Sequence, residues 1–169
     1  MSLGEAIMQE KNGEHPFGDT GQLIAFGLFL IVWAGDSFFL RLSTFLSAYV
    51  PLYILLAILG IMFILAIYLF RSGHAVVEHE QRPDKVVING AFRYVRHPLY
   101  LASILTYLGL AISTLSLISV ALFLGIFIFY NYIASYEEKL LEVKFGEEYK
   151  KYKEKTGKWL PRIGRNRVS

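Results

Sequence analysis

Hydrophobic positions along the chain gather into runs that are too long and too uninterrupted for helices of a soluble protein. Residues 22–40 carry one charged side chain, Asp36, near the end of the run, and residues 49–70 carry none. Pro51 falls at the first turn of that second run, where a residue without an N–H is tolerated. A third run, residues 98–136, holds 39 residues with neither a charge nor a histidine. Hydrocarbon offers no partner to a backbone N–H or C=O, so such runs cross a bilayer as helices, about 20 residues for a core roughly 30 Å thick. As one helix the third run would extend about 58 Å, enough for two crossings. Its hydroxyl-rich stretch at 113–116, "STLS", suits the tight turn between them. The pattern therefore predicts transmembrane helices over 22–40, 49–70, 98–112 and 117–136, the last two forming a hairpin.

Beyond Tyr136 the pattern changes from continuous to striped. Leu141, Phe145, Tyr149 and Tyr152 recur at spacings of four, four and three among charged residues, which predicts an amphipathic helix over 137–157 continuing the fourth span. Gly146 costs such a helix about 1 kcal/mol relative to alanine and marks a bend or a close approach. On composition alone this helix would lie on anionic headgroups, held there by its lysines.

Composition agrees with the hydropathy. The 169 residues are 54% hydrophobic, 15% aromatic and 18% charged, with a mean hydropathy of +0.43. Those values describe one integral membrane domain over 1–169, and with the runs they predict an all-α, polytopic membrane protein of about four transmembrane helices with a C-terminal hairpin and a cytoplasmic tail helix. Charge sets the orientation. The loop 71–97 holds Arg71, Arg82, Lys85, Arg93 and Arg96, and the tail after Tyr136 holds ten more lysines and arginines, against Arg41 alone after the first helix. The positive-inside rule then places that loop, the tail and the N-terminal segment 1–20 in the cytoplasm. Residues 1–20 carry Glu5, Glu10, Lys11, Glu14 and Asp19 and resemble no cleavable leader. The absence of cysteine excludes disulfides, thiolate metal sites and cysteine nucleophiles.

Three groups of residues are candidates for chemistry. In "HAVVEH", His74 and His79 are five residues apart rather than four and would not share a helical face, so no metal site is expected. Asp36, near the end of the first helix, reads as an interfacial, solvated carboxylate close to Arg41. The third group is "GAFRYVRHPLY", residues 90–100, taken with Glu137 and Glu138. Arg93 and Arg96 would serve as positive-inside anchors, Tyr94 and Tyr100 as interfacial aromatics and Pro98 as a helix start, and that reading accounts for much of the stretch. It does not account for His97 or for the glutamate pair. A hairpin leaving the membrane surface at Pro98 and returning at Tyr136 brings Arg96 and His97 beside Glu137 and Glu138. Cations, ring donors and paired carboxylates at one rim would suit a zwitterion carrying ribose, ammonium and carboxylate groups.

"NGAFRYVRHPLYLA" followed by "EEKLLEVKFGEEYKKYKEKTGKWLP" resembles the paired signature of the integral membrane methyltransferases, the isoprenylcysteine carboxyl methyltransferase family and its phospholipid N-methyltransferase relatives. The matching positions are Gly90, Phe92, Arg93, Arg96, His97, Pro98 and Tyr100, then Glu137, Glu138, Leu141, Phe145, Gly146, Tyr149, Tyr152 and Pro161. The resemblance covers roughly half of the chain; the first 70 residues match in hydropathy alone. It implies a cytoplasm-facing pocket for S-adenosylmethionine, lined by Tyr94, Arg96, His97 and Tyr100 and closed by Glu137 and Glu138. It implies methyl transfer to a lipophilic acceptor, an isoprenylcysteine-type carboxylate or, alternatively, a phosphatidylethanolamine amine. For the amine, Glu138 would serve as base, while Lys144 stands where relatives often carry an arginine near the substrate. Ala102 departs from the glycine that is common after the first motif. The partners implied are the bilayer and a membrane lipid, or a prenylated small molecule or protein C-terminus, with no metal and no nucleic acid. Two other classes remain: an NADPH-dependent sterol-reductase-like protein, against which four helices argue, and a non-catalytic lipid-binding protein, which leaves His97 and the glutamates unexplained.

Overall fold

The computed structural model describes residues 18–79 and 85–162. In chain order the elements are α1 (Gly18–Ala34), a π-helical turn Gly35–Leu40, a 3-10 turn Phe45–Tyr49, α2 (Leu52–His79), a 3-10 turn Gly90–Arg93, α3 (Pro98–Thr114), α4 (Leu117–Phe145) and α5 (Glu147–Lys155). There is no strand among the described residues; Val95 and Gly157 form one isolated parallel bridge. Three helical segments, Thr20–Leu40, Leu52–Ala75 and Leu117–Phe145, are long and apolar enough to cross a membrane, and Pro98–Thr114 is a shorter apolar helix. The protein is a multi-pass membrane protein. Its exposed leucines and isoleucines, among them Leu23 at 72% and Ile64 at 69% accessibility, are what helices facing acyl chains require.

Two compact units are distinguished. One comprises Asp19–Ile67 and Ala102–Asn131; the other draws, among the described residues, on 68–101 and 132–162. In the first unit the hairpin turn falls within "STLS", between Thr114 and Leu117, with Leu115 in the left-handed region at φ 48°. The N–H groups that open a helix have no partner within it, and in α4 the first three find one outside. Leu117 N donates to Ser43 O, Ile118 N to Ser43 Oγ and Ser119 N to Ser116 Oγ, and Val120 N makes the first helical bond, to Ser116 O. Ser116 is thus the N-cap.

Asp36 completes this arrangement, which corrects the expectation of a solvated carboxylate paired with Arg41. It is 3% exposed and accepts from Ser43 N at 3.1 Å, Ser43 Oγ at 2.5 Å and Ser116 Oγ at 2.6 Å. A buried carboxylate is tolerated when every neighbour donates to it. The π-helical turn that ends at Leu40 is what carries Asp36 toward the serines. Arg41 adopts φ 52°, and its N–H bonds to Asp36 O rather than to the carboxylate.

The helix expected from residue 49 starts at Leu52, because Tyr49 is taken up by the preceding 3-10 turn and Pro51 lies just outside. α4 runs 29 residues, about 43 Å, so its charged end from Glu137 onward projects beyond the apolar stretch. At Gly146 the backbone turns with φ 55° and ψ −125°, and α5 begins in a new direction. The bend expected at this glycine is observed. The stripe of the tail is observed too: Tyr149 and Tyr152 are buried, and Tyr152 donates from its hydroxyl to Phe92 O at 2.6 Å. The tail helix turns its aromatic face onto protein, leaving Lys150, Lys151 and Lys155 exposed. His79, part of the excluded histidine pair, has a side chain outside the described residues.

Candidate functional site

The site lies wholly within the second unit and begins with the short turn Gly90–Arg93. Gly90 sits at φ 57°, a conformation that favours glycine, and Ala91 is completely buried. The chain then extends: Val95 bridges to Gly157, and Arg96 N donates to Gly157 O at 2.9 Å. The residue before a proline is held away from helical geometry, so His97 stays outside α3 while Pro98 opens it. The backbone carbonyl of His97 takes the N–H of Leu101 at 2.9 Å, so His97 is the N-cap of α3 and its ring stays in the site.

Arg96, His97 and Glu138 are 8%, 7% and 5% exposed and form one cluster. Arg96 Nε donates to Glu138 Oε1 at 2.9 Å, and Arg96 Nη1 donates to the carbonyls of Lys153 at 3.1 Å and Thr156 at 2.5 Å. Those carbonyls belong to the C-terminal end of α5, where carbonyls lack helical partners, so one guanidinium joins the end of the hairpin to the end of the tail helix. His97 Nε2 lies 3.2 Å from Glu138 Oε1, and His97 Nδ1 lies 3.8 Å from Glu137 Oε2. Lys153 Nζ bridges Glu142 at 2.7 Å and Glu138 at 3.3 Å. Tyr100 donates from its hydroxyl to Glu137 Oε1.

The charge states follow from these contacts. Burial pushes the Glu138 carboxyl upward, but the hydrogen bond from His97 and the charge and hydrogen bond of Arg96 outweigh it and bring its pKa to about 2. Burial lowers the His97 pKa, and Glu138 offsets only part of that effect. His97 is therefore neutral near pH 7. Because ionised Glu138 can only accept, the proton of that neutral ring sits on Nε2.

Aromatic rings form the rest of the wall. His97 stacks on Tyr100 with centroids 5.6 Å apart and planes 6° from parallel, and Trp159 lies 5.8 Å from His97. Thr156 Oγ1 is buried with no hydrogen-bond partner among the described residues. The structure thus brings together Arg96, His97, Tyr100, Glu137 and Glu138, five of the residues singled out from sequence. It does not bring Tyr94 or Lys144 to them. Tyr94 is 42% exposed at the end of the 3-10 turn. Lys144 is exposed with its ammonium 5.1 Å from the Phe145 ring centroid, and six residues along α4 place it about 240° around the helix from Glu138. Lys153, Thr156, Gly157, Lys158 and Trp159 were not anticipated. Apart from Pro161, the signal for them was slight: "TGKWLP" carries no periodicity, and its role depends on a chain reversal after α5.

A pair of carboxylates, a neutral imidazole and two further rings stand together at one end of the α3–α4 hairpin, offering hydrogen-bond acceptors, donors and stacking faces. Residues 48–148, 101 of the 169, match the family model for phospholipid methyltransferases. The chain belongs to the phospholipid methyltransferase family. The family match takes in the whole Gly90–Tyr100 motif and the second motif as far as Glu148. Curated relatives in Oryza sativa subsp. indica and Oryza sativa subsp. japonica, each named a probable protein-S-isoprenylcysteine O-methyltransferase, are 31% identical over 91 residues, covering 53% of this chain and 48% of theirs. This phospholipid methyltransferase family member therefore spans about half the length of the curated relatives it matches. No solved structure matches it.

Proposed function

We propose that the chain is an S-adenosylmethionine-dependent methyltransferase that acts on a lipophilic acceptor, most simply the carboxylate of an isoprenylcysteine-type compound. The observation that carries this reading is the buried Arg96–Glu138–His97 cluster with Tyr100 and Glu137 beside it, in a member of a methyltransferase family. The donor set fits the methyl donor. Glu137 and the Tyr100 hydroxyl offer acceptors and donors for ribose or ammonium, and the rings of His97, Tyr100 and Trp159 offer stacking faces for a purine. Arg96 and Glu138, occupied with each other and with the tail, act as positioning residues that hold His97 and the strap after α5. Tyr94 stands at the rim. The sulfonium of the donor supplies an activated methyl, so the protein's contribution is alignment and exclusion of water.

An acceptor carboxylate needs no base, and this agrees with a Glu138 held near 2, which is a weak proton acceptor at neutral pH. In this reading neither Glu138 nor Lys144 carries a proton. The second reading, methylation of a phosphatidylethanolamine amine, is favoured by the description of the matched family. It requires a proton to leave, for which neutral His97 or water is better suited than Glu138. In both readings the apolar segments, residues 22–40, 52–70, 98–112 and 117–136, are the spans of one membrane-embedded domain. The site and both termini would then face the cytoplasm, an orientation that the distribution of lysine and arginine supports. The acceptor would reach the site from the bilayer.

The test uses purified protein in lipid vesicles with methyl-labelled S-adenosylmethionine, offered N-acetyl-S-farnesylcysteine or phosphatidylethanolamine. We expect alkali-labile label on the farnesylcysteine. Alkali-stable label on the phospholipid would select the second reading, and label on neither would overturn both.

A further inference from the structure

The connection between α1 and α2, in the first unit, is unlike a loop that faces water. Phe38, Phe39, Leu40, Leu42, Phe45 and Tyr49 are all exposed, Phe39 and Tyr49 at 83% each. So many exposed apolar side chains in one short connection mark an interaction surface. Its two charged residues are disposed oppositely. Asp36 is buried against Ser43 and Ser116 and adds no charge to that surface. Arg41 is exposed, and its guanidinium has no hydrogen bond or ion pair among the described residues.

The connection is also held in place. Ser37 Oγ donates to Thr114 Oγ1 at 2.9 Å, Trp33 Nε1 donates to Leu110 O at 2.9 Å, and Phe38 meets Trp33 edge to face with centroids 5.4 Å apart. With Ser43 bonded to the first residues of α4, these contacts tie the connection to the α3–α4 turn. Much of its backbone is satisfied internally: Arg41 N donates to Asp36 O, Ser43 N to the Asp36 carboxylate, Ser47 N to Thr44 O and Val50 N to Ser47 O. Non-helical backbone is tolerated beside lipid only where the protein itself supplies its partners. The apolar surface continues on both sides into side chains of the spanning helices, the exposed Ile31 before it and the exposed Leu52 and Tyr53 after it.

We propose that the α1–α2 connection is a membrane-surface anchor. Phe39, Leu42, Phe45 and Tyr49 enter the boundary between headgroups and acyl chains in the leaflet at the α3–α4 turn, and the Arg41 guanidinium takes a lipid phosphate. Aromatic side chains collect at that depth, and an arginine there buries its stem while its charged head reaches the phosphates, to which its planar fork is matched. A phospholipid surface fits better than a protein partner, because the patch is continuous with the lipid-facing helices and carries a cation with no acidic neighbour exposed beside it.

The chain has no cysteine, so a nitroxide label can be placed at single positions. Phe39→Cys and Tyr49→Cys replace side chains that are mostly exposed, with Ile64→Cys on α2 as a lipid-facing reference and Lys151→Cys on α5 as a water-facing one. The full chain is reconstituted in phosphatidylcholine vesicles, and the collision of each label with oxygen and with a water-soluble nickel complex is read by electron paramagnetic resonance. The ratio of oxygen to nickel accessibility at positions 39 and 49 should lie several-fold above that at 151 and below that at 64. A ratio at either position equal to that at 151 would overturn the anchor, as would low accessibility to both reagents, which would mean that protein covers the patch. Arg41→Gln tests the phosphate contact without a label. It should unfold about 2–4 °C below the wild type in the vesicles and together with the wild type in maltoside micelles, which hold no phosphate. Equal shifts in both media, or none in either, would overturn the role of Arg41.

Discussion

Arg96 is the residue on which the second unit converges, because three oxygens from two separate elements lie within reach of its one guanidinium. Removing one partner of a buried ion pair leaves the other charged and dry, so Arg96→Ala should lower stability by about 3–5 kcal/mol. Arg96→Lys should recover little of it, since a point charge cannot serve Glu138 and two carbonyls together. Thermal unfolding in detergent reads both, and an Arg96→Ala protein as stable as the wild type would contradict the assignment. Acid provides a second check. The lowered His97 pKa means that the unfolded chain takes up the proton first, so stability falls as pH drops below the ordinary histidine value near 6.5. Glu138 adds a further loss as pH falls from about 4.5 toward about 2. His97→Gln should abolish the first loss and keep the second; a variant with the wild-type profile would show that His97 is not the group responsible. The sequence made His97 and the glutamates conspicuous because membrane anchoring does not explain them. It could not show that Glu138 would be shared by two cations and the neutral His97 ring, since Lys153 arrives only through the turn at Gly146.

At the scale of elements, the two places where helices change direction carry the clearest local requirements. Gly146 adopts a positive φ that side chains avoid, so Gly146→Ala should cost about 1–3 kcal/mol and shift α5 away from the cluster. A Gly146→Ala protein with unchanged unfolding and unchanged ligand affinity would sink that account. The opening of α4 depends on Ser43 and Ser116 being fixed by Asp36. Asp36→Ala leaves buried donors without an acceptor and should destabilise by about 1–3 kcal/mol, again by thermal unfolding, with no specific effect on ligand affinity. The apolar runs made the helices legible, and "STLS" marked the turn, because a backbone in hydrocarbon has few alternatives. The burial of Asp36 was not legible. It depends on a π-helical turn and on Ser43, which is 73 residues from Ser116 in sequence and carries no pattern of its own.

Across the whole molecule, the helical, multi-pass architecture and the membership of the phospholipid methyltransferase family follow from hydropathy and from two motifs that the hairpin brings to one end. The tail was the part most easily misread. Its lysines suggested a helix resting on headgroups, whereas Tyr149 and Tyr152 are buried in protein and the strap beyond α5 closes on Arg96. Periodicity revealed the stripe but could not say whether lipid or protein would cover it. Cofactor and acceptor differ in how directly they can be tested, since the acceptor depends on a lipid that must be guessed and the donor does not. The most direct measurement is therefore calorimetric titration of the full chain in detergent with S-adenosylmethionine and S-adenosylhomocysteine, with His97→Ala and Glu138→Gln alongside. The account predicts saturable binding of both ligands to the wild type and weakened binding to each folded variant. Absence of binding to the wild type, or affinities unchanged in both variants, would contradict it.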